Sequence, residues 1–352
     1  MSMEQNYSSR MSAAITWLRF PLIFFVVLLH GYSVVRLPGH PLYFKAIYPL
    51  ALWLGETGVP AFLFISGYLF FLSRKTYTDK LKSRFHSLLI PYLLWNGLLL
   101  AIYLLAYACG YPQIINGKSM ADYGISDYIR LFWDRGSFDN GNFVPLLCPY
   151  WYVRNLIILS LLSPLLVFFI RRLQIFYLLI LTILWMLTPH NAFIAQSLLF
   201  FSAGAFFAIR KIVPLQLFCQ HRQFFIALAA TAACCDIVSH TLIPTSFNLC
   251  IHRVALIANI PALFLMADYA INTLLMAPKL ADTAFFVFSI HYPMIVALRK
   301  ASVGLFATAS DSLQILSYAT SIFVTIVVSL LIYRFVDRYL SKFKNLLTGN
   351  RS

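Results

Sequence analysis

Ten stretches of predominantly apolar residues, each near the roughly 20 needed to cross a bilayer as a helix, leave this chain few folds to choose from. They run over 13–35, 47–72, 87–108, 149–170, 173–189, 192–209, 223–240, 253–275, 282–299 and 313–335. Composition agrees. Of the 352 residues 61% are hydrophobic and 11% charged, where a soluble domain carries about 25% charged residues, and the mean hydropathy is +0.78. The chain reads as an all-α, polytopic membrane bundle of about ten transmembrane helices. No internal repeat, heptad run or low-complexity tract interrupts it, so residues 1–352 read as a single integral-membrane domain.

Loop charge sets the expected orientation. Arg74, Lys75, Lys80, Lys82 and Arg84 follow the second segment, and Arg171, Arg172, Arg210, Lys211 and Arg222 lie in later connections. Arg334 closes the last segment, and Arg338, Lys342, Lys344 and Arg351 fall in a basic tail of about 336–352. These positions lie on one side, which the positive-inside rule makes cytoplasmic, and both termini go with them. The formal charge of +15 is then a topology signal with some attraction for anionic lipid, and nucleic acid is not an expected partner. The first ten residues lack the basic flank and cleavage site of a removable signal peptide, so the first helix is expected to stay as an anchor. The long polar segment 110–148 carries Asp122, Asp127, Asp134 and Asp139 against Lys118, Arg130 and Arg135, and this orientation places it outside. Loops of this length are usually functional or disordered.

Two ionisable residues, Arg19 and His30, sit inside the first apolar segment. A charged group in hydrocarbon costs roughly 2.5–3.5 kcal/mol on insertion scales, so one that persists marks a polar cavity or a site. Eleven residues make about 3.06 helical turns, which puts both side chains on one face about 16 Å apart along the axis.

Further blocks extend the pattern: Val59-Pro60-Ala61-Phe62-Leu63-Phe64-Ile65-Ser66-Gly67-Tyr68-Leu69, Arg84 ahead of Ile90-Pro91-Tyr92-Leu93-Leu94-Trp95, and Tyr150-Trp151-Tyr152-Val153-Arg154-Asn155-Leu156 leading to Leu162-Ser163-Pro164. Phe201-Ser202-Ala203-Gly204-Ala205 and Phe288-Ser289-Ile290-His291-Tyr292-Pro293 complete it. With the Arg19 and His30 pair, these blocks resemble, in order from about residue 12 to 340, the acyltransferase-3 family of integral-membrane O-acyltransferases. The resemblance implies transfer of an acyl group, most often acetyl, from cytoplasmic acyl-CoA to a hydroxyl of a cell-envelope glycan or its lipid-linked precursor. It also implies residence in a bacterial cytoplasmic (inner) membrane. Acetyl-CoA would be a donor substrate, and no tightly bound cofactor is expected. One departure is Ser87, beside His86, where family members often carry a second basic residue. Some relatives carry an added extracytoplasmic esterase-like domain; this chain is expected to hand the acyl group to its acceptor directly.

The residues supply matching chemistry. A hydroxyl attacking a thioester must lose a proton, and histidine, with an ordinary pKa near 6.5, suits that work, so His30 is the candidate general base. Glu56, at comparable depth in the second helix, is the candidate that orients its imidazole, as the acid does in hydrolase triads. Arg19 would meet pantetheine or phosphate oxygens of the donor, and Arg84 with its basic neighbours the CoA phosphates. Arg154 and Trp151, at the outer start of the fourth segment, would hold the acceptor or the developing oxyanion, and His291 would line the acyl path.

Each assignment has a structural alternative: a snorkelling Arg19, a His30 bonded to neighbouring backbone, a packed carboxyl at Glu56, an interfacial belt at Trp151 and Arg154, a packed His291. Ser66 and Gly67 read as a close helix contact and not as a nucleophile site. The six cysteines show no metal-ligand spacing; a Cys109–Cys148 disulfide is geometrically allowed outside, and Cys234 with Cys235 reads as core. A secondary transporter or flippase is the competing function, and it would more often show inverted repeats.

Overall fold

The computed structural model of the chain describes residues 3–34, 37, 39–112, 114–115, 118–136, 143–189, 193–273, 278–306 and 310–350. Asp139, Arg351 and the margins of the 13–35, 192–209 and 253–275 segments lie outside that set. Among the described residues sixteen α-helices follow in order: α1 (Met3–Ser33), α2 (Pro41–Tyr48), α3 (Gly55–Leu72), α4 (Tyr77–Arg84), α5 (Ile90–Ala108), α6 (Ile125–Arg130), α7 (Trp151–Leu161) and α8 (Ser163–Leu173). Then come α9 (Ile175–Leu187), α10 (Phe193–Ile209), α11 (Pro214–Gln220), α12 (Arg222–Thr241), α13 (Asn248–Thr273), α14 (Pro278–Phe306), α15 (Asp311–Tyr339) and α16 (Ser341–Thr348). The all-α, polytopic membrane character follows directly.

Among the described residues seven helices are long and apolar enough to span a membrane, or nine if two bent pairs each count as one span. The pairs are Cys148–Leu161 with Ser163–Leu173, bent by 69°, and Phe193–Ile209 with Pro214–Gln220, bent by 91°. Pro164, at the first turn of α8, accounts for the first break, because proline cannot continue the preceding ladder; the second falls at Lys211, left-handed at φ 57°, whose amide and that of Ile212 close the end of α10 on the Ala208 and Phe207 carbonyls. The expected segment 173–189 becomes α9, whose 13 residues reach about 20 Å, short of the roughly 30 Å hydrocarbon core. The basic segment 73–86 is largely helix and not loop. The Thr76 hydroxyl accepts from the Asp79 amide at 3.2 Å, starting α4, which runs through a π-helical turn into α5.

The chain divides into two compact units, Met1–Ser73 with Phe200–Tyr333, and Arg74–Leu199 with Arg334–Ser352. In the first, α1 packs against α3, α13 and α14. Small residues set these approaches. A Cβ on Gly58 would come within 2.9 Å of the Leu22 carbonyl oxygen, and one on Gly67 would overlap the Phe201 carbonyl, so Gly67 has the close-contact role expected of it. Arg10 joins α1 to α13 through two bonds to Asp268, at 2.9 and 2.6 Å.

In the second unit segment 110–148 folds over the end of α5. Ile115, Met120, Leu131 and Leu146 form its apolar centre, packed against Leu99, Leu100 and Tyr103. A short antiparallel ribbon pairs Ile114 with Ser119. Lys118 binds Asp127 at 2.9 Å and holds that half-buried carboxyl below its ordinary pKa. The basic tail folds back as α16: Trp95 Nε1 donates to the Leu347 carbonyl at 3.0 Å, and Gly349, at φ 65°, packs on the Ser87 backbone. Two cysteine expectations change. Cys109 and Cys148 are free thiols, and Cys234 and Cys235 are exposed on α12 where a core position was expected.

Candidate active site

The C-terminal end of α1 is fixed by groups from other helices. Helix ends leave carbonyls without intrahelical donors, and here Arg299 Nε donates to the Gly31 carbonyl at 2.9 Å. One turn earlier the Tyr318 hydroxyl donates to the Leu28 carbonyl at 2.7 Å. Arg299 is fully buried; its other donors reach Ser317 Oγ at 3.2 Å and the Tyr43 hydroxyl at 3.1 Å. A cation at this end also complements the helix dipole.

From this fixed backbone His30 presents a half-buried imidazole. Its ring centre lies 5.4 Å from that of His291 and 5.0 Å from that of Tyr292, the latter edge-on at 82°. Ser33 Oγ stands 3.5 Å from His30 Nδ1, at the limit of a hydrogen bond. His291 is fully buried, with Nδ1 2.7 Å from the Phe288 carbonyl and 3.2 Å from that of Val287.

The carboxylate expected beside His30 is elsewhere engaged, which corrects the proposed triad. Glu56 Oε2 accepts from His252 Nε2 at 3.1 Å, and His252 Nδ1 donates to Asp236 Oδ2 at 2.9 Å. Asp236 also accepts from the Tyr48 hydroxyl at 3.0 Å and meets His240 Nδ1 at 3.1 Å. This buried network ties α2, α3, α12 and α13 together. Asp236 and His240 carry the same signal as Arg19, an ionisable residue inside an apolar segment, as does Arg299 outside this network, and His252 stands at the edge of one; applying that signal would have found them.

Arg19 is half-buried on α1 and has no hydrogen-bond or ion-pair partner among the described residues. In the second unit Arg84 ends α4, half-buried, with Lys80; Arg74, Lys75 and Lys82 are exposed. Arg154 is buried and occupied: Nη1 donates to the Trp133 carbonyl at 2.9 Å, Nη2 to Asn155 Oδ1 at 3.2 Å, and the guanidinium stacks 4.9 Å from the Trp133 ring centre. Trp151, also buried, stacks on Phe193 with centres 4.0 Å apart. Arg154 therefore braces segment 110–148 through Trp133, and Trp151 packs on the start of α10. Arg154→Ala is expected to release Trp133 and speed proteolysis of that segment several-fold, whereas an Arg154 that only touched ligand would leave its cleavage rate unchanged.

Two imidazoles, those of His30 and His291, thus lie with ring centres 5.4 Å apart within a polytopic helical membrane protein. The model of a family described as an acyltransferase domain matches residues 12–334. The chain belongs to that family, the acyltransferase-3 family, and is a membrane O-acyltransferase. It is 26% identical over 360 residues to the succinoglycan biosynthesis protein ExoH of Rhizobium meliloti (strain 1021), covering 93% of this chain and 90% of that protein. No solved structure matches.

Proposed function

We propose that the protein moves an acetyl group from cytoplasmic acetyl-CoA to a hydroxyl of a cell-surface polysaccharide or its lipid-linked precursor, in the bacterial inner membrane. The observation that carries this reading is the His30 imidazole beside His291, on a helix whose spacing puts Arg19, without a hydrogen-bond or ion-pair partner among the described residues, on the same face. His30 takes the proton of the acceptor hydroxyl, the oxygen attacks the thioester carbonyl, and the C–S bond breaks. The proton then passes from His30 to the CoA thiolate, which closes the cycle without a bound cofactor. Arg19 steadies the donor through charge-assisted bonds, and Arg84 with the cations of α4 meets its phosphates.

The acceptor side is bounded by segment 110–148, with Arg154 and Trp151 shaping that boundary. This arrangement keeps both termini in the cytoplasm and has ten crossings, the short α9 crossing where the bilayer thins to meet it. The folding of α16 onto the start of α5 supports the cytoplasmic C-terminus, because it brings the basic tail to the side of the basic segment. The similarity to a succinoglycan biosynthesis protein supports a polysaccharide as the acceptor. Comparing surface glycans of a deletion strain and its parent by mass spectrometry tests the reading. An acyl substituent should vanish on deletion and return with the intact gene; identical glycans in both strains would refute it.

A further inference from the structure

Every described polar contact of His291 lies on one ring nitrogen. Carbonyl oxygens only accept, so the two carbonyls at Nδ1, 2.7 and 3.2 Å away, fix the N–H there and leave the lone pair on Nε2. That atom is fully buried and has no partner among the described residues. A buried acceptor without a donor costs roughly 1–3 kcal/mol, so the position calls for a donor. An imidazole within reach is that of His30, with ring centres 5.4 Å apart and planes inclined by 36°. Two imidazoles joined edge to edge by an N–H···N bond of about 2.9 Å have centres about 5 Å apart, so a small turn of the half-buried His30 ring closes the bond.

We infer that His291 is the positioning residue for His30: its fixed Nε2 lone pair receives one His30 N–H and so turns the other His30 nitrogen, as a lone pair, toward the acceptor hydroxyl. This rests on the acyl-transfer reading and fills the place that Glu56 leaves empty. In hydrolase triads a carboxylate holds the N–H of the base. Here a neutral ring whose tautomer is set by backbone carbonyls does so. The difference has a physical sense in an apolar interior. A carboxylate would bring a second charge that must be desolvated, whereas an imidazole sets the tautomer without one.

The test uses the full-length protein in detergent or vesicles, with acetyl-CoA and purified glycan, and compares His291→Phe with His291→Gln. Phenylalanine fills the space without an acceptor; glutamine restores an acceptor oxygen. The expected result is a kcat about 10- to 100-fold lower for His291→Phe, less than the roughly 10²- to 10⁴-fold that loss of the base itself costs, with both KM values near parental. His291→Gln should recover most of the rate. Equal rates in both variants, whether parental or equally impaired with a lowered melting temperature, would overturn the assignment and leave His291 a packing residue. An active parental protein with indifferent variants refutes this inference alone. A parental protein that transfers nothing refutes the functional reading on which it rests.

Discussion

His30→Ala is expected to lower the kcat of acyl transfer by about 10²- to 10⁴-fold, the usual contribution of a general base, with the KM for acyl-CoA little changed. The end of α1 should survive the change, because its carbonyls are held by Tyr318 and Arg299 and not by the imidazole. Arg19→Lys should lose less in kcat and more in donor KM, since it keeps the charge and loses the planar fork that binds two oxygens at once. Glu56→Gln separates the imidazoles. Its carboxylate serves His252, so the variant should lower thermal stability while retaining far more activity than His30→Ala. Steady-state kinetics on the three purified variants checks the set; a folded His30→Ala protein with parental kcat would remove His30 from the chemistry.

Gly204→Val is expected to prevent assembly of the first unit. A Cβ on Gly204 would overlap the Phe64 carbonyl and lie 2.7 Å from the Tyr68 amide nitrogen, while the reciprocal Gly67 faces the Phe201 carbonyl. Backbone meets backbone on both sides, so no rotamer change relieves the overlap, and the cost should exceed the roughly 1–3 kcal/mol typical of overpacking. Gly97→Ala is the control. Nothing lies within 4 Å of a Cβ there, and replacing a helical glycine with alanine stabilises by roughly 0.5–1 kcal/mol. Size-exclusion profiles after detergent extraction should show little monodisperse Gly204→Val protein and a normal peak for Gly97→Ala. A normal peak for both would contradict the close crossing of α3 and α10.

Much of the helical layout was legible because apolar runs of the required length admit few alternatives. Segment 223–240 appears as Arg222–Thr241 and 313–335 as Asp311–Tyr339. The sequence reading faltered where hydropathy changes before the helix does. Arg10 keeps α1 helical toward Met3 through its pairing with Asp268, and Thr76 starts α4 inside a charged stretch; both depend on hydrogen bonds that a hydropathy window does not weigh. At the site, spacing along one helix found the Arg19 and His30 face. Partnership across helices was not readable that way. Glu56 and His252 are 196 residues apart, and depth alone could not tell the His252 imidazole from the His30 imidazole as the carboxylate's partner. Arg154 shows the same limit. Its position marked a polar contact, and the fold supplied the Trp133 carbonyl as one partner.

The most direct test of the central claim follows the acyl group itself. Purified protein, reconstituted in vesicles with acetyl-CoA labelled in the acetyl carbon and a lipid-linked or free glycan acceptor, should release CoA and gain label on the glycan in equal amounts. The His30→Ala protein, assayed beside it, should do neither above background. Glycan that crosses the vesicle membrane unlabelled, with acetyl-CoA intact, would contradict the account and identify a transporter.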